Sequence, residues 1–92
     1  MVEITLAVKN ELGLHARAAA RVVRTANRFQ SNLRLERIDG SVSADAKSIL
    51  NVLMLAATGG TELRAIADGQ DEAEAIAALS GLFEAGFGEL QQ

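Results

Sequence analysis

The chain of 92 residues holds a single histidine, and the residues around it give that imidazole a chemical setting. His15 lies in the run Gly13-Leu14-His15-Ala16-Arg17, between an alternating, strand-like segment and an alanine-rich, helical one. A helix start gathers unpaired backbone N–H groups at the positive end of the peptide dipole, so it holds anions, phosphate above all. If His15 caps the helix, the N–H groups of Ala16, Arg17 and Ala18 point out beside the ring. The same dipole disfavours a positive ring and leaves a nitrogen lone pair free to attack phosphorus. Arg17 adds a planar guanidinium matched to phosphate oxygens, and an anion there would offset the cost of a cation in a first helical turn. A plain helix cap accounts for the position equally well. No acid or hydroxyl nearby in sequence completes a hydrolytic triad, so a stand-alone hydrolase is poorly supported.

The elements that must position this run are readable from hydrophobic period. Val2 to Val8 alternates apolar and polar residues, as a strand with one buried face does, and Asn10 to Gly13 breaks it. From Ala16 to about Phe29, Ala19, Val22, Val23, Ala26 and Phe29 recur at helical spacing. Leu33 and Leu35 begin a second alternation, and Asp39-Gly40 marks a hairpin turn before a short strand at Ser41 to Ser43. Lys47 to Leu55 is strongly apolar and fits strand or helix by period alone. Thr61 to Ala67 reads as a strand. Asp71 to about Glu84 reads as a helix with Ile76, Leu79 and Phe83 on one face, acids in its first turn and Gly86 past its end. The closing Gln91-Gln92 is expected to fray. With the short apolar segment taken as a helix, the order is β-α-β-β-α-β-α. It implies an α+β open-faced β-sandwich, a four-stranded antiparallel sheet covered on one face by three helices.

Ninety-two residues allow one domain, 1–92, with a modest core. Hydrophobic residues make up 49%, much of it alanine, so the core is expected to be thinly filled. Cysteine is absent, which excludes disulfides and thiolate chemistry, and one histidine makes no zinc cage, so no metal and no cofactor are expected. A net charge of −3 without aromatic-basic interleaving argues against nucleic acid as a partner. No apolar run approaches the length a membrane helix needs, and the expectation is a cytoplasmic monomer without membrane insertion.

The run Gly13-Leu14-His15-Ala16-Arg17, the later Ala46-Lys47-Ser48-Ile49-Leu50 and the element order resemble HPr, the histidine phosphocarrier family of the bacterial phosphotransferase system. The stretch Leu82 to Phe87 and the run Asn10 to Arg17 look rather like its nitrogen-branch paralogue, NPr. The resemblance implies that His15 accepts a phosphoryl group on Nδ1 from Enzyme I, itself charged by phosphoenolpyruvate. The group then passes to a histidine of an Enzyme IIA protein, with Arg17 helping to hold it. The resemblance also selects a helix for the second apolar segment. Ser48 matches a serine that a dedicated kinase phosphorylates in some relatives, although a cap role explains the residue type as well. Two departures stand out: the family usually has proline where Ala18 stands and glycine where Ala56 stands.

Arg17, Arg21, Arg24 and Arg28 recur every three or four residues and form one basic stripe along the first helix. Such a stripe is commonly just a solvated face, but in an acidic chain, beginning at Arg17, it reads as a docking surface for acidic partners. Ile49, Leu50 and Leu53 are expected to supply the apolar part of that surface, some of them exposed near His15. The alternatives are an NPr-like regulator acting through partner binding, and a small enzyme using His15 as acid or base.

Overall fold

The computed structural model describes residues 1–89. The expected fraying of Gln91-Gln92 falls outside them. Along the chain stand β1 (Val2–Ala7), α1 (Ala16–Ala26), β2 (Asn32–Arg37), β3 (Ser43–Asp45), α2 (Ile49–Met54), β4 (Glu62–Asp68) and α3 (Glu72–Glu84), followed by a single 3₁₀ turn at Gly86–Gly88. The four strands form one antiparallel sheet in the order β1-β4-β2-β3.

Period 2 decides which sheet face the helices cover. Leu6 pairs with Leu63 across β1 and β4, and Leu35 stands between Ala65 of β4 and Ala44 of β3; all five side chains are buried. Val22 of α1, Val52 of α2 and Leu79 and Phe83 of α3 close over them. Each such large side chain contributes about 1.5–3 kcal/mol when fully buried. Between them lie alanines, among them Ala18, Ala19, Ala26, Ala65 and Ala67, which fill little space and so let helix backbone come close to sheet. The opposite face meets water, and its side chains pair with one another. Arg64 reaches Glu3 at 3.0 Å and Glu36 at 3.2 Å, and Arg34 donates to Ser43.

Two expected boundaries move. The first helix stops at Ala26 rather than near Phe29, because Asn27 turns its amide onto the Val23 carbonyl at 2.9 Å and onto Lys47 O, and the next two N–H groups make tighter i−3 bonds. Arg28 therefore lies beyond the helix, while Phe29 still packs against the core. The third strand occupies Ser43–Asp45 rather than Ser41 to Ser43. Asp39 Oδ1 accepts from Ser41 N–H at 2.9 Å and from its hydroxyl, which keeps Ser41 in the turn.

The loop that carries His15 is stitched to the loop after α2. Val8 N–H donates to Thr61 O, Gly60 N–H to Val8 O and Leu14 N–H to Ala57 O, at 2.7–2.8 Å. A Cβ on Gly13 would stand 2.3 Å from Ala57 O, so the two backbones meet where a methyl group has no room. Ala56, one residue earlier, holds φ at +49°, the left-handed region that glycine occupies without penalty.

Candidate functional site

His15 is the N-cap of α1, extended at φ −72° and ψ 179°, and its carbonyl takes the first helical bond from Ala19 N–H at 2.8 Å. Its ring, 29% exposed, is held at both nitrogens. Nδ1 accepts from the Arg17 N–H at 3.3 Å, and Nε2 lies 2.7 Å from Glu89 Oε2. The first bond needs a lone pair on Nδ1 and the second a proton on Nε2, so the two partners assign one neutral tautomer. In that form the unprotonated nitrogen is the one beside the helix N-terminus.

Glu89 was not legible as a site residue, since it lies 74 positions from His15 in sequence. Asn10 was missed with it. The Asn10 side chain is buried, and its amide nitrogen donates to Gly13 O at 2.9 Å and to Glu89 Oε1 at 2.7 Å. The Glu89 side chain is 11% exposed and its carboxyl is held below the ordinary glutamate range. The Asn10 amide is the main cause, opposed by desolvation and helped by the His15 ring and the Arg17 charge. The signal that could have pointed here is Gly86-Phe87-Gly88, an apolar residue between two glycines just after a helix.

The helix start places Ala16, Arg17 and Ala18 as its first three residues, Ala16 and Arg17 exposed and Ala18 buried. The arginine stripe divides. Arg17 and Arg24 are exposed, Arg28 lies past the helix with its guanidinium 5.6 Å from the Phe29 ring centroid, and Arg21 is half-buried, donating to the Phe87 carbonyl. Ser48 is the N-cap of α2, with its hydroxyl accepting from Asn51 N–H at 3.4 Å. Ile49, Leu50 and Leu53 are all exposed, Leu50 to 71%, and sequence reasoning missed a further exposed apolar residue of the same helix, Met54. The start of α2 lies by Asn27 at the end of α1, and the chain after α2 returns to Leu14. Leu53 and Met54 are therefore toward the His15 end of α2, and Ile49 and Leu50 toward the other.

Among the described residues, no group of three or more histidine, cysteine, aspartate or glutamate side chains is placed to hold a metal ion. No helix among them is long and apolar enough to cross a membrane. The site can offer a nucleophilic nitrogen, a row of backbone donors and the exposed Arg17 guanidinium to an incoming phosphoryl group.

The chain as a whole is similar to known proteins. Residues 2–85 match the family model described as the PTS HPr component phosphorylation site. A phosphocarrier protein HPr from Xylella fastidiosa is 51% identical over 89 residues, covering 97% of this chain and 98% of its own. A phosphocarrier protein NPr from Proteus mirabilis is 44% identical over 84 residues, covering 91% and 92%. Among solved structures, an HPr from Thermoanaerobacter tengcongensis superposes with a TM-score of 0.90 at 43% identity, covering 97% of this chain and 98% of that one.

Proposed function

The chain belongs to the HPr family of phosphocarriers of the phosphotransferase system, and from that premise we propose how its residues carry the phosphoryl group. His15 Nδ1 takes the group from phospho-Enzyme I and gives it to a histidine of an Enzyme IIA protein. The observation that carries this reading is the N-cap geometry of His15, with Nδ1 facing the Arg17 N–H at 3.3 Å. That contact is long for a hydrogen bond, so the donor can move from the ring nitrogen to a phosphoryl oxygen without loss of a strong partner. Ala16 and Ala18 add backbone donors at the same helix start, and Ala18 restores an N–H that proline would lack. The Arg17 guanidinium closes over the remaining oxygens. Such a site holds phosphate well enough to accept it and loosely enough to pass it on.

The protein is a stoichiometric carrier in the relay, with no turnover of its own. It works in the cytoplasm as a monomer, free of nucleic acid and of membrane insertion, and needs no cofactor. The exposed Ile49, Leu50 and Leu53, with Arg17, Arg24 and Arg28, supply the docking surface for both partners. Arg21 also falls on this stripe. A serine kinase acting on Ser48 would put a phosphate at the edge of that surface and weaken docking. A sugar-branch assignment is favoured over an NPr-like regulatory one, as the higher identity to an HPr indicates.

The deciding experiment is incubation with phosphoenolpyruvate, magnesium and Enzyme I. An acid-labile phosphohistidine is expected on the wild type and none on His15→Ala. No label on the wild type, or equal label on both, would overturn the carrier reading.

A further inference from the structure

After α3 the chain takes three successive left-handed residues, Gly86 at φ 57°, Phe87 at φ 57° and Gly88 at φ 80°. A residue with a Cβ is strained in that region, so other contacts must hold Phe87 there. Its ring is fully buried, edge-on to Phe83 with centroids 4.8 Å apart, and its carbonyl accepts from Arg21 Nη1. A Cβ on Gly88 would stand 2.7 Å from that same Nη1, so the absence of a side chain leaves the guanidinium its place. The next residue is Glu89, whose two oxygens go to Asn10 and His15. This segment lies beyond residues 2–85, the part that matches the family model.

We propose that Glu89 is a positioning residue for His15, and that Arg21 serves the site by clamping Phe87 and so holding this carboxylate against Nε2. The inference rests on His15 being the phosphoryl acceptor. With the Nε2 proton donated to Glu89, the Nδ1 pair is the free nucleophile. In the transfer this pair forms the new N–P bond while the N–P bond of the donor phosphohistidine breaks, returning its pair to the donor nitrogen. The Nε2 proton stays on the ring throughout. The loaded ring gains positive character, and a carboxylate 2.7 Å from Nε2 offsets it. Asn10 keeps the carboxylate ionised and aimed, while Arg21 acts one step further out. Arg21 is thereby assigned inward, to the site, rather than to the docking stripe.

The test pairs ¹⁵N NMR of the His15 ring, in alkaline buffer, with the rate of phosphorylation by Enzyme I. The wild type is expected to show the Nε2-protonated tautomer as the dominant form. Glu89→Ala should move the ring signals toward a mixture of tautomers and slow phosphorylation about tenfold, the lower range for loss of a group that orients a histidine. Arg21→Met and Gly88→Ala should move the ring signals in the same direction and less far. Glu74→Gln, an exposed carboxylate on α3, should leave them where they are, and circular dichroism verifies that each variant is folded. If Arg21→Met slows phosphorylation with the ring signals untouched, Arg21 is a docking residue and the proposal is wrong. It is equally wrong if Glu89→Ala leaves the tautomer unchanged. The ring signals need no partner, so a wild type that Enzyme I fails to phosphorylate defeats the carrier reading alone.

Discussion

Each ring nitrogen of His15 is tied to a different part of the chain, Nδ1 to the helix it caps and Nε2 to a residue 74 positions away. The first tie was readable from Gly13-Leu14-His15-Ala16-Arg17, because a cap and its helix are neighbours in sequence. The second was not, because only the fold brings Glu89 back. Arg17, two residues on, is an exposed cation beside Nδ1 along the chain. A charge-assisted hydrogen bond is worth about 1.5–3 kcal/mol, so Arg17→Ala should slow charging by Enzyme I at least about tenfold, measured by rapid quench. Arg17→Lys should recover only part of that rate, since an ammonium cannot grip two oxygens at once. Ala56 offers the opposite kind of substitution, one that improves the fold. Its φ of +49° suits glycine, so Ala56→Gly should raise stability by about 0.5–1 kcal/mol in urea unfolding, after the greater chain entropy of glycine is subtracted.

At the scale of elements, the long periodic segments were legible and the short ones were not. Strands β1, β2 and β4 each turn one face toward the core, and a one-residue slip would turn that face to water, so their pattern is written in the residues. Strand β3 has three residues and one buried side chain, Ala44, and the Asx turn at Asp39 sets its start. The arginine stripe was legible as a row, but not that Arg21 is half-buried and donates to the Phe87 carbonyl, because spacing along a helix does not show what covers its side. Helix α3 supplies a pH-dependent tie. Its N-cap Asp71 turns its carboxylate onto the Ser31 hydroxyl and the N–H groups of Gln30 and Ser31. The Ser31 hydroxyl, then these N–H groups, hold the carboxyl below its ordinary value of 3.8. A carboxyl lowered in the folded state stabilises above its unfolded value, and that contribution is lost as pH falls through the folded one. Asp71→Asn should thus be less stable than the wild type near neutrality, with the gap narrowing below pH 3.8. Thermal unfolding across the acid range measures it, and a gap independent of pH would count against this linkage. Ser48→Ala removes a weaker cap and should cost about 0.5 kcal/mol, the low end for such a change, in keeping with its 3.4 Å bond.

Viewed as a whole, an acidic molecule of net charge −3 presents a local cluster of arginine beside an exposed apolar helix. Attraction of such a cluster to an acidic partner is screened by salt, so the association rate with Enzyme I should fall as ionic strength rises. Replacing Arg24 and Arg28 with glutamate should lower that rate and flatten its salt dependence; stopped-flow mixing reads both, and an unchanged rate would remove the docking role. The bare face of the sheet behaves differently. Its ion pairs around Arg64 are part-exposed, so Arg64→Ala should cost less than about 1 kcal/mol of stability. Gly13 joins these scales, since its missing side chain lets the loop bearing His15 rest on the Ala57 carbonyl. A library of random variants selected for relay function would accordingly be emptied at Gly13 as thoroughly as at His15. Two letters two positions apart would look equally precious, one for its reactivity and the other for the space it leaves vacant.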